Sequence, residues 1–155
     1  MIPALNQHGV LPVGIHDATL DEVRDRFGYN PLRMRLLRRL DKALANWRGK
    51  PCWDAVADVY IDGSFLSDKP APNDIECAVA ISWDARKEAA CGMIAAVTAT
   101  REQTNRVVDC YWFIHGMPVS DFSRFFQYMR RSDADARQIG WLPNTPMKGI
   151  VRLSR

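Results

Sequence analysis

The chain has 155 residues, of which 47% are hydrophobic and 25% are charged, and its formal net charge is +3 at pH 7. This length suits one domain with one substantial core. The sequence contains no long apolar run and no basic-then-apolar N-terminus. This pattern argues against a membrane span and a signal peptide, so we expect a soluble, cytoplasmic protein that does not contact a membrane.

The cysteines and histidines do not suggest a metal or disulfide framework. The cysteines are widely spaced and form no C-x-x-C pair, and the histidines have no Cys or Glu partner at ligand spacing; they are Cys52, Cys77, Cys91, Cys110, His8, His16 and His115. We therefore expect reduced, mostly buried thiols and no zinc site. Basic residues, in contrast, are clustered: one group consists of Arg33, Arg35, Arg38, Arg39 and Lys42, and a second of Arg124, Arg130 and Arg131.

Residues 1–50 are predicted to form an N-terminal helical part. Thr19 and Glu22 have the spacing of a capping box, which predicts a short helix after an apolar lead-in. Asn30-Pro31 then opens a longer helix, whose apolar residues recur at helical spacing up to Trp47. Gly and Pro at 49–51 end this helix.

Residues 55–115 are predicted to supply the core strands. The runs 55–62, 75–82 and 106–114 are rich in β-branched and aromatic residues, and 84–96 favours a helix. In the C-terminal part, 120–155, Ser120 has the position of a cap before an amphipathic helix carrying Phe122, Phe125, Phe126 and Met129. The tail at 149–153 is predicted to add a last edge strand.

Carboxylates cluster at the ends of these predicted strands. Asp74 and Glu76 are two residues apart on one strand, so their side chains point to the same face. Asp109 is surrounded by apolar residues in a later strand, where an unpaired charge is costly. Adjacent carboxylates repel each other unless a cation lies between them, and hard oxygen ligands suit Mg²⁺. A magnesium site is therefore predicted at Asp74, Glu76 and Asp109.

A Gly-Ser turn precedes these acids. Gly63 permits a tight turn and close backbone approach, Ser64 offers a hydroxyl, and a helix following the turn would direct its free N–H groups at phosphate. Lys69, in the loop from 65 to 73, either reaches a triphosphate as a point charge or is a solvated loop lysine. Asp62, just before the turn, either assists the site or orients the loop.

Gly63-Ser64, nine further residues and then Asp74-Ile75-Glu76 resemble the nucleotidyltransferase signature of the DNA polymerase β-like superfamily. The resemblance implies an α+β nucleotidyltransferase fold, a small mixed β-sheet flanked by helices in a single domain. It also implies that Asp74, Glu76 and Asp109 bind Mg²⁺ or Mn²⁺, while Gly63 and Ser64 hold the phosphates of a nucleoside triphosphate. Glu76 replaces the commoner Asp of the signature, which leaves the metal geometry open.

The phrases LPVGIHDATLDEV, YIDGSFLSDKPAPNDIE and KGIVRL, in that order, resemble a family of small bacterial and phage proteins of unassigned function described as nucleotidyltransferase-like. This similarity covers nearly the whole chain. It implies an enzyme that transfers a nucleoside monophosphate from an NTP to an acceptor hydroxyl on a protein or nucleic acid. In this interpretation Asp109 accepts the proton of that hydroxyl.

Other interpretations of the same residues stay open. Asp74 can cap a turn, Glu76 can lie on the solvent face of an edge strand, and Asp109 can pair with an arginine such as Arg106. Two other functions also remain. One is an antitoxin-like or phage-encoded binding protein that uses the arginines from Arg33 to Arg39; the other is a catalytically silent nucleotide sensor.

Overall fold

The computed structural model describes residues 1–154 and contains a mixed five-stranded sheet. The strands, in chain order, are β1 (Gly14–Ala18), β2 (Val56–Asp62), β3 (Ile75–Ile81), β4 (Val108–Ile114) and β5 (Gly149–Leu153). Their spatial order is β1-β5-β2-β3-β4. The β1–β5 and β3–β4 pairs are parallel, whereas β2 pairs antiparallel with both β3 and β5. The fold is thus a small single α+β domain, as the sequence predicts.

Two N-terminal helices begin where the sequence predicts. In α1 (Leu20–Phe27) the Thr19 hydroxyl accepts from the Glu22 amide at 3.1 Å, and the Glu22 carboxylate accepts from the Thr19 amide at 2.9 Å. These two bonds satisfy N–H groups that have no partner within the helix. The Asn30 side chain caps α2 (Pro31–Arg48), and Gly49 follows its last turn. Both predictions are confirmed.

One face of the sheet carries the main core. Alternate residues of the strands point to it, including Ile61, Cys77, Val79 and Val151, and all of these are buried. Helices α1, α2 and α3 (Lys87–Gln103) supply its other side, with Trp47 completely buried. The period of two in the strands and the 3.6-residue period in α2 are what make this burial possible. Helix α3 begins later and extends further than the predicted 84–96.

The opposite face of the sheet is covered less completely. Its apolar cluster consists of Tyr60, Ala78, Ala80, Phe113, Phe126 and Ile150. The predicted helix from Ser120 to Met129 is wrong: α4 spans only Phe122–Phe125 and is capped by Asp121, and α5 (Arg131–Ala136) follows. Phe125 is 63% exposed, because the sheet aromatics contact the Phe122 and Phe126 rings only.

The predicted edge strand at the C-terminus is also wrong in its position. Strand β5 lies inside the sheet, between β1 and β2. Its other neighbour, β1, is absent from the sequence prediction, because this strand is short and Ala18 is its one buried residue. Over residues 1–154 the structure contains no helix long and apolar enough to cross a membrane.

Candidate functional site

Strand register places three carboxylates side by side on the less covered face of the sheet. Asp62 of β2 pairs with Glu76 of β3, and Glu76 pairs with Asp109 of β4. Because residues paired across neighbouring strands point to the same face, the three side chains form one line, here named the carboxylate row. Asp74 lies two residues before Glu76. The sequence predicted that Asp74, Glu76 and Asp109 would be neighbours, and Asp62 joins them.

A lysine closes one end of the carboxylate row. The Lys148 ammonium, just before β5, donates to both carboxylate oxygens of Asp62 at 2.7 and 2.8 Å. The Asp62 side chain is 5% exposed and that of Lys148 is 17% exposed. Burial raises the pKa of Asp62, and the Lys148 charge opposes that rise. The pair therefore places an ammonium group against a buried carboxyl group beside Glu76.

An arginine and a tyrosine close the other end. The Arg101 Nε atom, in the last turns of α3, donates to Asp109 Oδ1 at 2.5 Å. The Tyr111 hydroxyl donates to Asp109 Oδ2 at 2.8 Å, and Arg101 Nη2 donates to that hydroxyl at 3.2 Å. Burial, with the neighbouring Asp109 charge, raises the pKa of Tyr111 to about 12. Asp109 thus pairs with an arginine, but with Arg101 and not with Arg106.

The two remaining acids carry the uncompensated negative charge. Burial raises the pKa of Glu76 to about 7, and the charges of Asp62, Asp74 and Asp109 add to this rise. Burial and the Asp109 charge also raise the pKa of Asp74. In the described part of the chain neither carboxylate has an ion-pair partner. Crowded carboxylates of this kind favour a proton or a cation between them.

Lys69 and the Gly-Ser turn lie close to these acids. The charge of Lys69 opposes the rise in the pKa of Asp74, although the Lys69 side chain is exposed. Gly63 has a φ of +87° and a ψ of −173°, and a Cβ atom built there would lie 2.5 Å from Glu76 Oε2. Only glycine therefore lets the turn approach the Glu76 carboxylate. A three-residue 3-10 turn, Ser64–Leu66, follows instead of a longer helix.

Arg33 does not belong to a basic surface, contrary to the sequence interpretation. Its side chain is completely buried, and its guanidinium donates to backbone carbonyls, including those of Phe65 and Ser67 in the loop after the turn. The exposed basic residues of α2 are Arg35, Arg38, Arg39, Lys42 and Arg48. Strand β3 is also interior, so Glu76 does not lie on an edge strand.

By their chemistry alone, two carboxylates of the site suit a magnesium-type ion. Among residues 1–154 no group of three or more His, Cys, Asp or Glu side chains is arranged to hold a metal ion, and Asp62 and Asp109 each face a cation. Asp74 and Glu76 are hard oxygen donors that form no ion pair within the described residues. Mg²⁺ is commonly bound by one or two carboxylates together with substrate phosphates, which these two acids match.

Three residues of the site were not assigned from the sequence. Arg101 lies on a helix, Tyr111 has the appearance of an ordinary strand aromatic, and Lys148 is distant from the acidic motif in the chain. The phrase KGIVRL contains Lys148, so that lysine had a sequence signal. No comparable sequence signal exists for Arg101, because this helix residue meets Asp109 only through the tertiary packing of α3.

Residues 3–154 match the model of a family whose description is "Family of unknown function (DUF6932)". The match covers nearly the whole chain, so the protein belongs to this family. No curated protein and no solved structure matches the chain.

Proposed function

We propose that this protein is a metal-dependent nucleotidyltransferase that moves a nucleoside monophosphate from an NTP to an acceptor hydroxyl and releases pyrophosphate. The carboxylate row beside the Gly63–Ser64 turn is the observation that carries this proposal. The resemblance of the motif to the DNA polymerase β-like superfamily supports it, and with it the nucleotidyltransferase fold. Strands β2, β3 and β4 present the motif residues on one face, as such a site requires.

Asp74 and Glu76 are the residues that would hold the divalent ion, with Asp109 as the third ligand that the resemblance implies. Mg²⁺ or Mn²⁺, when bound, would neutralise triphosphate charge and make the acceptor hydroxyl more acidic. The raised pKa values of Asp74 and Glu76 support this assignment, because burial and the neighbouring carboxylates both disfavour their charge, and a cation would offset that cost. Lys148 and Arg101 balance the charge at the two ends of the row.

The chain's own groups would act chiefly by positioning. Ser64 and the turn backbone would hold the β and γ phosphates, with Lys69 as a further point charge. The acceptor oxygen attacks the α-phosphorus, the bond from that phosphorus to the bridging oxygen breaks, and pyrophosphate leaves. Asp109 would take the proton of the acceptor hydroxyl. Since Tyr111 donates to Asp109 at 2.8 Å, the acceptor hydroxyl has to replace the Tyr111 hydroxyl there.

Turnover of labelled ATP, CTP, GTP and UTP tests the proposal. Mg²⁺-dependent pyrophosphate release should disappear in folded Asp74→Asn and Glu76→Gln variants and persist in Glu102→Gln, an exposed acid on α3. The acceptor should be sought among proteins and nucleic acids of the same cells. If all four nucleotides remain intact with such acceptors present, the enzyme proposal fails.

A catalytically silent nucleotide sensor is a second candidate. The Arg101–Asp109 ion pair favours it, because the carboxylate expected to act as the base is already occupied. A sensor binds NTP with Mg²⁺ but releases no pyrophosphate. Calorimetric nucleotide binding in the absence of turnover would therefore select it.

A third candidate is an antitoxin-like or phage-encoded binding protein. The exposed face of α2 supports it with Arg35, Arg38, Arg39 and Lys42, a helical spacing that groups four cations. Nucleic-acid binding that weakens steeply with salt, and that survives Asp74→Asn, would select this function. A gene for a toxin beside the gene for this protein would favour modification of that toxin, or its sequestration.

A further inference from the structure

A buried arginine without a carboxylate partner lies behind the Gly63–Ser64 turn. Arg33 is 0% exposed, and its guanidinium carbon lies 4.6 Å from the ring centroid of Tyr29 and 4.7 Å from that of Phe65. No Asp or Glu in the described residues forms an ion pair with it. Burial of a charge without a counter-ion is costly. A well-packed apolar residue would avoid that cost, but it would make none of the hydrogen bonds that this guanidinium donates.

The guanidinium of Arg33 is directed at the loop that follows the turn. Nε donates to the Phe27 carbonyl at 2.6 Å, and the Nη atoms donate to the carbonyls of Phe65, Lys69 and Ser67. The neighbouring Asn30 side chain donates to the Pro70 carbonyl at 2.9 Å. Most of these acceptors belong to residues 65–70, so the start of α2 fixes the backbone path directly after Ser64.

A second arginine holds the same loop from the opposite side. Arg137 Nη1 donates to Asp68 Oδ1 at 2.9 Å, and Arg137 Nη2 donates to Ser67 Oγ at 3.2 Å. The Ser67 hydroxyl in turn donates to the Ser64 carbonyl at 2.7 Å. Arg137 also donates to the His8 carbonyl at 2.7 Å. The turn is therefore connected to both terminal parts of the chain.

We propose that Arg33 and Arg137 are positioning residues that hold the Gly63–Ser64 turn in the geometry that binds a triphosphate. This inference rests on the proposed function. A planar fork can span several carbonyls at once, which a point-charge ammonium cannot do. Arg33 also leaves a positive charge, unneutralised by any described carboxylate, behind the turn, where it favours an anionic ligand. A turn fixed before substrate arrives costs less to order on binding.

Arg33→Lys and Arg137→Gln test the inference, with Arg26→Lys on the exposed face of α1 as the matched control. Amide hydrogen exchange of residues 64–70 and the steady-state kinetics of NTP turnover are measured on the full chain. In both variants we expect the loop amides to exchange about tenfold faster, while the amides of β3 stay protected. We expect KM for the NTP to rise about tenfold with kcat within about twofold. The control should match the wild type.

The outcomes separate this inference from the proposed function. If Arg33→Lys does not yield folded protein, Arg137→Gln decides, since the Arg137 side chain is 22% exposed and is more tolerant of change. An active wild type whose KM and loop exchange are unchanged in that variant overturns only the positioning role. Faster exchange throughout the chain, β3 included, also overturns it, because the arginines would then serve general stability. A wild type without NTP turnover overturns the proposed function.

Discussion

Replacing Glu76 by glutamine should stabilise the metal-free protein by an amount that grows as pH rises from 4.5 to about 7 and is complete above it. Glu76 has an ordinary pKa of 4.5 and a folded-state pKa of about 7, raised by burial and by neighbouring carboxylates. Since the folded state retains a proton that the unfolded state has lost, stability falls as pH rises from 4.5 to about 7. Each pKa unit corresponds to about 1.4 kcal/mol, so the full loss is about 3 kcal/mol.

Glutamine removes the charge but keeps the shape of the side chain, so it should recover most of this loss. Because Glu76 is partly exposed, solvent screens its charge, and we expect a gain of about 2 kcal/mol at about pH 8. At about pH 4, where both states carry the proton, the gain should vanish. Urea unfolding in the presence of a chelator measures both values, with Glu102→Gln as the exposed control. Equal effects at both pH values, or destabilisation at about pH 8, would refute the crowding of carboxylates.

Two further substitutions test the surroundings of the carboxylate row. Lys148→Met should lower the free energy of unfolding by about 3 kcal/mol, because it leaves the Asp62 charge buried and unpaired. Adding Asp62→Asn to that variant should restore most of the lost free energy of unfolding. A cost below about 1 kcal/mol for Lys148→Met alone would contradict the ion pair between Lys148 and Asp62. Gly63→Ala should cost about 2–4 kcal/mol in thermal unfolding, since a φ of +87° with a ψ of −173° is nearly confined to glycine and the added Cβ would crowd Glu76, with Cδ at 3.1 Å and Cγ at 3.2 Å. Gly116→Ala is the control, because Gly116 has a similar φ of +84° but no atom lies within 4 Å of the added Cβ. This variant should cost about 1 kcal/mol. Equal costs for the two glycine variants would exclude the contact with Glu76.

The sequence predicts those parts of the fold in which local signals and burial agree. The capping box at Thr19 and Asn30-Pro31 fix the starts of α1 and α2, because side chains there satisfy free backbone groups. Strands β2 and β3 are rich in β-branched and apolar residues, most of which are buried. Strand β1 escapes prediction because its pairing depends on β5, far away in the chain. The C-terminal helix is overpredicted because a periodic row of aromatics does not show where packing ends.

The residues of the site divide in the same way: local sequence predicts some of them, and tertiary packing places the others. Asp74 and Glu76 share a face by alternation alone, and a parallel β3-α3-β4 unit brings Asp109 beside them. The charge balance does not follow from spacing, because Arg101 and Lys148 reach the row through tertiary packing. For Arg33, tertiary packing makes the sequence-based interpretation wrong. It shares a sequence cluster with exposed arginines, yet the α1–α2 junction and the loop enclose it completely.

Binding of Mn²⁺ together with a non-hydrolysable NTP analogue, measured by calorimetry at about pH 8, tests the central claim most directly. The account predicts that wild-type protein and Glu102→Gln bind the ion and the analogue together. It also predicts that Asp74→Asn and Glu76→Gln, although folded, bind the ion at least about tenfold more weakly, because each removes one anionic ligand. Equal ion affinity in all four proteins would contradict the claim that these carboxylates form a metal-nucleotide site.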